Sequence, residues 1–197
     1  MKKGTILRAL AASLLSLAAV AAAPNPSFAQ DAAPAKAAIC VSCHGASGNP
    51  IDPSYPILSG QTSRYLYLEL KDFQEGRRSD PLMTPMAKDL TRDEMRELSD
   101  WFAKQKPPPQ KFVSDQAKAR LGRAKADETL CTMCHLGGFL GQNEIPRVAG
   151  QNYAYIVKQL TAFKERTRTN DAGNMTSVAN TLNAQDIDNL AHYLVGL

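Results

Sequence analysis

The chain has 197 residues with 23 basic and 19 acidic side chains, a formal net charge of +4. Three of the basic residues and none of the acidic ones lie in the first 29 positions, so the remainder has 20 basic and 19 acidic groups and a net charge of +1. This near-neutral balance lacks the basic footprint of nucleic-acid-binding proteins, and no nucleic-acid partner is expected.

Residues 1–29 predict a cleavable signal peptide. The segment 6–23 is almost wholly small and apolar, follows a basic start, and precedes the small residues of a cleavage site at Ser27-Phe28-Ala29. A retained membrane anchor is the alternative, but the alanine-rich composition and the cleavage site favour removal. We therefore expect the mature chain to be exported to the periplasm without a membrane-spanning segment.

The first half of the mature chain begins with a cysteine motif and continues with helical patterns. The motif is Cys40-x-x-Cys43-His44. Residues 61–75 predict one helix, and Thr91 with Glu94 predicts the start of another through a capping box. Apolar residues recur at helical spacing from Met95 to Phe102, which predicts a buried helix face.

Residues 105–113 predict a linker. Three consecutive prolines, at positions 107–109, cannot continue a helix and favour an extended, stiff segment. The expected domains on either side are residues 30–104 and 114–197.

The second half repeats the order of the first. A helix is expected to begin at Ser114 and run towards Cys131, with Gly122 placed for close helix packing. The motif Cys131-x-x-Cys134-His135 follows, then a helical pattern over residues 151–165, and Asn183 with Asp186 predicts the cap of the last helix. No segment alternates convincingly with period two, so no appreciable sheet is expected.

The two halves align at separations of 90 to 92 positions. Cys40 matches Cys131 at 91, Pro56 matches Pro146 at 90, and Met83 matches Met175 at 92. Separations that drift by one or two residues indicate short loop changes within one duplicated fold. The predicted fold class is therefore all-α, with two tandem domains related by internal duplication.

Both cysteine motifs have the attachment signature of c-type haem. Two thiols one helical turn apart can form thioethers to the same porphyrin, and the adjacent imidazole can bind its iron. Two covalently bound haem c groups are therefore predicted, attached through Cys40, Cys43, Cys131 and Cys134 and ligated axially by His44 and His135.

The cysteine pairs have three other interpretations. A thioredoxin-like pair needs no following histidine. A zinc knuckle needs four ligands brought together, whereas these pairs lie 91 residues apart. An exported chain can also form disulfides. The histidine that follows both pairs favours haem.

Methionine is the predicted second axial ligand. Met83 aligns with Met175, whereas Met86 aligns with Val178, which cannot bind iron. Met83 and Met175 are therefore the predicted ligands, and Met86 is expected to pack in the haem pocket. Another histidine, His192, aligns with Asp100 and is interpreted as an ordinary helix residue. A His/Met pair raises the reduction potential and leaves no iron position for substrate.

This ordered set of motifs, present twice, resembles the dihaem class I cytochromes c of the cytochrome c4 group. The shared features are the haem motifs, the Pro-x-x-x-Gly-Gln element, the segment 83–87 and an aromatic closing helix. The resemblance implies two class I cytochrome c domains around a pseudo-twofold axis. It also implies that the carbonyls of Pro56 and Pro146 orient the axial imidazoles. Leu136 departs from the pattern, because the first motif has glycine at that place.

The function implied by the resemblance is a periplasmic carrier of single electrons, not an enzyme, with no small-molecule substrate. Expected partners are redox proteins such as a quinol-oxidising complex and a terminal oxidase, and association with the membrane surface is a further expectation. One alternative is a cytochrome subunit of a periplasmic dehydrogenase, for example flavocytochrome c sulfide dehydrogenase. Another is a dihaem peroxidase-type enzyme, which needs one iron open to substrate.

Overall fold

Helices in two matching series account for the regular structure of both halves. A computed structural model describes Met1 and residues 32–197, so the predicted signal peptide, apart from Met1, and the start of the first domain at residue 30 lie outside the described residues. The first series consists of α1 (Ala37–His44), α2 (Ser63–Gln74), α3 (Met83–Ala87) and α4 (Arg92–Lys104). The second consists of α5 (Gln116–Glu128), α6 (Thr132–His135), α7 (Tyr153–Lys164), α8 (Asn174–Asn180) and α9 (Ala184–Val195).

The absence of strands confirms the all-α prediction for the described residues. The β-type pairing found among the described residues is an isolated bridge between Gln142 and Ile145. Both predicted capping boxes are present. The Thr91 hydroxyl accepts from the Glu94 amide at 3.2 Å, and the Asn183 side chain accepts from the Asp186 amide at 2.8 Å. These caps begin α4 and α9, whose apolar faces are buried.

The opening helices of the two halves differ in length, as the sequence predicts. In the first half α1 has 8 residues, whereas α5 of the second half has 13. As predicted, α5 runs towards Cys131; it ends at Glu128, and Leu130, with a φ of 54°, separates it from the haem motif. A Cβ atom on Gly122 would lie 2.0 Å from the Asn189 carbonyl oxygen, so only glycine permits this contact of α5 with α9.

Each half has its own apolar core. In the first half, Leu66, Leu98 and Phe102 bring α2 and α4 together. In the second half, Ile156, Leu190 and their neighbours join α7, α9 and α5. Two cores built from aligned residues are what a duplicated pair of domains requires, and the fold class of two tandem class I cytochrome c domains is confirmed.

The two halves contact each other through reciprocal hydrogen bonds. Gln61 donates to the Arg147 carbonyl at 2.8 Å and accepts from its amide at 2.6 Å. Gln151 donates to the Ile57 carbonyl at 3.0 Å and accepts from its amide at 2.8 Å. Because the members of each pair lie 90 positions from their counterparts, the contact has the reciprocity of a twofold interface.

A buried polar cluster extends this interface. Arg78 donates to the carboxylate of Glu69 and, at 2.9 Å, to Gln159. Arg168 donates to the same two side chains at 2.6 and 2.7 Å. Glu69 and Gln159 are aligned residues, so the twofold pattern is broken where one half has a carboxylate and the other an amide.

Among the described residues, no helix is both long enough and apolar enough to span a membrane.

Candidate haem sites

The two motif histidines occupy matching places. His44 is the last residue of α1 and His135 the last of α6, and both are buried. Nδ1 of His44 lies 3.1 Å from the Pro56 carbonyl oxygen, and Nδ1 of His135 lies 2.9 Å from that of Pro146. The structure therefore contains both hydrogen bonds that the resemblance implies.

These hydrogen bonds determine which ring nitrogen is available to a metal. A carbonyl oxygen only accepts, so Nδ1 must carry the hydrogen and Nε2 retains its lone pair. Burial lowers the pKa of both imidazoles, and the carbonyl acceptors offset this only in part. Both rings are therefore neutral near pH 7, which is the form that binds iron.

The four thiols show the same correspondence. Cys40 and Cys131 are half-buried against the two cores, whereas Cys43 and Cys134 are exposed, and all four are free. Burial raises the pKa of Cys40 and of Cys131, the latter partly offset by the Thr129 hydroxyl. The inner sulfurs lie beside apolar side chains, an environment that fits a porphyrin edge.

The methionines predicted as ligands begin short helices. Met83 is the first residue of α3, Met175 is the second of α8, and both are half-buried. These helices pack against α2 and α7 respectively. Met86 is 47% exposed, and its packing in the haem pocket stays a prediction.

Two aspartates that the sequence analysis did not single out position the methionine segments. Asp80 accepts from the amides of Leu82 and Met83 at 3.0 and 3.2 Å, and Asp171 accepts from the Thr176 amide at 2.6 Å. Burial favours a raised pKa in both carboxyls, but the amide donors outweigh it and hold the pKa below its usual value. The sequence contains a signal that could have identified them, because an aspartate lies three or four residues before each of the two aligned methionines.

Leu136 accepts the backbone conformation that glycine has in the first motif. Gly45 has φ 73° and ψ 166°, and Leu136 has φ 39° and ψ 164°. The chain therefore leaves both histidines by a similar turn, although this region strongly favours glycine. The departure in sequence changes the backbone strain of the turn and not its course.

His192 has a structural role near the linker. Its Nδ1 accepts from the Asp115 amide at 3.1 Å, and its ring lies 5.0 Å from that of Tyr153 and 5.4 Å from that of Phe112. The Phe112 and Tyr153 rings are stacked at 4.6 Å. His192 thus joins the non-helical segment 105–115 to α7 and α9, in agreement with its interpretation as a helix residue.

The donor sets of both halves fit a covalently bound haem c. Each combines two free thiols, a neutral imidazole with Nε2 available, and a half-buried thioether on a neighbouring helix. The roles of Met83 and Met175 as ligands remain predictions.

Comparisons with known proteins agree with this arrangement. The protein-family model described as cytochrome c matches residues 119–197. Cytochrome c4 of Pseudomonas aeruginosa is 36% identical over 172 residues, covering 83% of this chain and 86% of the relative. The crystal structure of reduced recombinant cytochrome c4 from Pseudomonas stutzeri superposes with a TM-score of 0.77 at 34% identity, covering 82% of this chain and 95% of that one. A thiosulfate dehydrogenase electron acceptor of Thiomonas intermedia is 37% identical over 160 residues, covering 75% of this chain and 73% of the relative.

Proposed function

This chain belongs to the cytochrome c4 family and is a dihaem electron-transfer cytochrome, and from that premise we propose that it carries single electrons between redox proteins of the periplasm. The observation that supports this most directly is the matched pair of histidines. Each is buried, and each has its tautomer fixed by a proline carbonyl.

The proposed mechanism assigns the protein a positioning role. Haem supplies reversible one-electron iron chemistry. The carbonyls of Pro56 and Pro146 hold the imidazoles of His44 and His135 in one orientation, so that Nε2 of each ring would be the nitrogen that binds the iron. We propose that Met83 and Met175 would supply a second protein ligand to each haem iron. Two protein ligands would leave no iron position for substrate, which favours a carrier over a dihaem peroxidase-type enzyme.

The surface beside the haem motifs fits brief encounters. Ile39, Leu130 and Met133 are exposed apolar side chains within or next to the two motifs. Electron-transfer partners commonly use small interfaces that release quickly. We propose that partners dock on these side chains, where a haem edge is expected to approach the surface.

The partners are proposed at two levels. A quinol-oxidising complex and a terminal oxidase are the expected donor and acceptor, with association at the membrane surface as a related expectation. The relative described as a thiosulfate dehydrogenase electron acceptor favours a second candidate, in which a periplasmic dehydrogenase is the donor. In that case the chain accepts electrons as a free protein or as a bound cytochrome subunit.

A spectroscopic redox titration of the purified holoprotein tests the proposal. We expect two haems per chain, low-spin spectra, the near-infrared band of Met-ligated ferric haem, and two reversible one-electron steps. A native high-spin haem that reacts with peroxide would overturn the carrier function. Co-purification of a flavin- or quinone-bearing subunit would favour the dehydrogenase subunit over the free carrier.

A further inference from the structure

A groove between α2 and α4 in the first half is lined by basic side chains. It has a volume of about 590 Å³, and Arg64, Lys71, Arg92 and Arg96 all contribute to its wall. We call it the basic groove. None of these residues belongs to a haem motif or to the interface cluster of Arg78 and Arg168.

The positive charge of the basic groove is only partly balanced. Lys71 lies 3.6 Å from Glu75, and Arg96 lies 3.3 Å from Asp93. Each pair is exposed and joins residues close together in the sequence, one on α2 and the other on α4. Such pairs contribute little stability, so another anion can readily replace the carboxylate. Among the described residues, Arg64 and Arg92 have no carboxylate at ion-pair distance, and Arg64 lies over the Tyr67 ring at 5.7 Å.

The second half provides an internal comparison. At the positions of Arg64, Lys71 and Arg92 it has Ala154, Thr161 and Ala184, and Arg96 is replaced by Asp188. A groove of about 610 Å³ lies against α7 there as well, lined by Tyr153, Val157 and other residues. The shared fold therefore does not require the four cations, and they distinguish one half from the other.

The end of the basic groove is fixed by the contact between the halves. The Thr62 hydroxyl, at the N-cap of α2, donates to the Asn143 carbonyl at 2.5 Å, and both residues line the groove. The site is thus bounded by two helices and by a loop of the second half. A partner would meet a preformed surface, which lowers the entropic cost of binding.

The spacing of the cations indicates what kind of anion fits. Arg64 and Lys71 are seven residues apart on α2, which places them about 10 Å apart along its axis. A segment with several carboxylates can contact cations along this whole length at once, whereas a phosphate-sized ion covers only a small part of it.

We propose that the basic groove docks an acidic segment of a protein partner. Complementary charge of this kind accelerates association and orients a transient complex. The identification of that partner as a redox protein rests on the proposed electron-transfer function, whereas binding of an acidic segment in the groove does not. Binding itself can be measured without electron transfer, so failure of one proposal is distinguishable from failure of the other.

The test uses ¹⁵N-labelled ferrous holoprotein and a blocked hexaglutamate peptide at low ionic strength, with hexaglutamine as the neutral comparison. Amide shifts should cluster on α2 and the start of α4 and should weaken strongly on addition of salt. The triple variant Arg64→Ala, Lys71→Gln, Arg92→Ala should bind about tenfold more weakly. The charge-matched control Lys88→Gln, Arg120→Ala, Arg123→Ala should bind as the parent does.

Haem absorbance and circular dichroism establish whether each variant is folded. If the triple variant is not folded, the single exposed substitution Arg64→Ala replaces it, with an expected loss of peptide affinity of about twofold to threefold. Equal losses in the control, or shifts spread over all basic residues, would overturn the proposal. Binding of inorganic phosphate in the groove as tightly as the peptide would also overturn it. So would a triple variant that loses binding to phosphatidylglycerol vesicles but keeps binding to the peptide.

Discussion

Gln61 and Gln151 occupy aligned positions, and each forms two hydrogen bonds with the backbone of the opposite half. Both side chains are buried, and each also accepts from the amide of the residue that follows it. The two glutamine side chains therefore help to fix the relative position of the domains, because each one bonds directly to the backbone of the other half.

Replacing Gln61 with alanine should destabilise the contact between the halves. The substitution leaves the amide and carbonyl of Arg147 without their partner, and an unsatisfied buried group costs about 1–3 kcal/mol. Urea unfolding of the holoprotein should show a loss of about 2 kcal/mol and less coincident transitions of the two haem spectra. Gln116→Ala, at an exposed position of α5, is the matched control, and an equal loss there would contradict the assignment.

Replacing Glu69 with glutamine should reduce stability near neutral pH. Burial favours a raised pKa for Glu69, but Arg168 and Arg78 outweigh it and hold the pKa below the usual value. Because the folded pKa is depressed, the stabilising contribution is present above the unfolded value of 4.5 and is lost as pH falls through the folded pKa. We expect Glu69→Gln to cost about 3 kcal/mol at pH 7, since it leaves two buried guanidinium groups without a carboxylate.

The measurement is the free energy of unfolding from pH 7 to pH 3. The difference between parent and Glu69→Gln should shrink as the pH falls below about 4.5. Glu97→Gln removes the same formal charge from an exposed position of α4 and should change stability little. A difference that stays constant over this range would argue against a role for the Glu69 charge.

Replacing Arg166 with glycine should stabilise the second half. Arg166 follows α7 with a φ of 58°, and its aligned residue in the first half is Gly76, with a φ of 73°. A left-handed conformation costs a side-chain-bearing residue about 1–2 kcal/mol, and glycine is the usual residue at such a helix end. Thermal unfolding should show a gain of about 1 kcal/mol, whereas Glu165→Gly, one position earlier with a φ of −80°, should be destabilising.

Replacing Met83 or Met175 with leucine should remove one sulfur ligand at a time. Each variant is expected to lose about half of the near-infrared band of Met-ligated ferric haem and to gain a high-spin component, because leucine cannot bind iron. The exposed Met86 provides the control, and Met86→Leu should retain the parent spectrum. Loss of the band in Met86→Leu, with retention in Met83→Leu, would reverse the assignment in the first half.

The sequence predicts most of what depends on local patterns. Such features depend only on residues that are close together in the sequence. They include the capping boxes at Thr91 and Asn183, the apolar stripes of the helices, and the fixed spacing within the two haem motifs. Gly122 was also predictable, because a glycine inside a helical pattern suggests close contact between helices.

The remaining features depend on the tertiary arrangement. The positive φ of Leu130, which separates α5 from the second haem motif, has no clear local signature in the sequence. The convergence of Arg78, Arg168 and Glu69 joins residues up to 99 positions apart and requires the two halves to be docked. Charge patterns along a single helix do not reveal such a cluster.

The unequal pair of Glu69 and Gln159 shows what joining the two halves in one polypeptide allows. In a homodimer, every substitution near the twofold axis occurs twice, so two glutamates would face the same pair of arginines and repel each other. A covalently fused pair can change one copy alone. The single chain can therefore hold an odd number of charges at its centre, and its two halves can acquire different outer surfaces while keeping one common means of association.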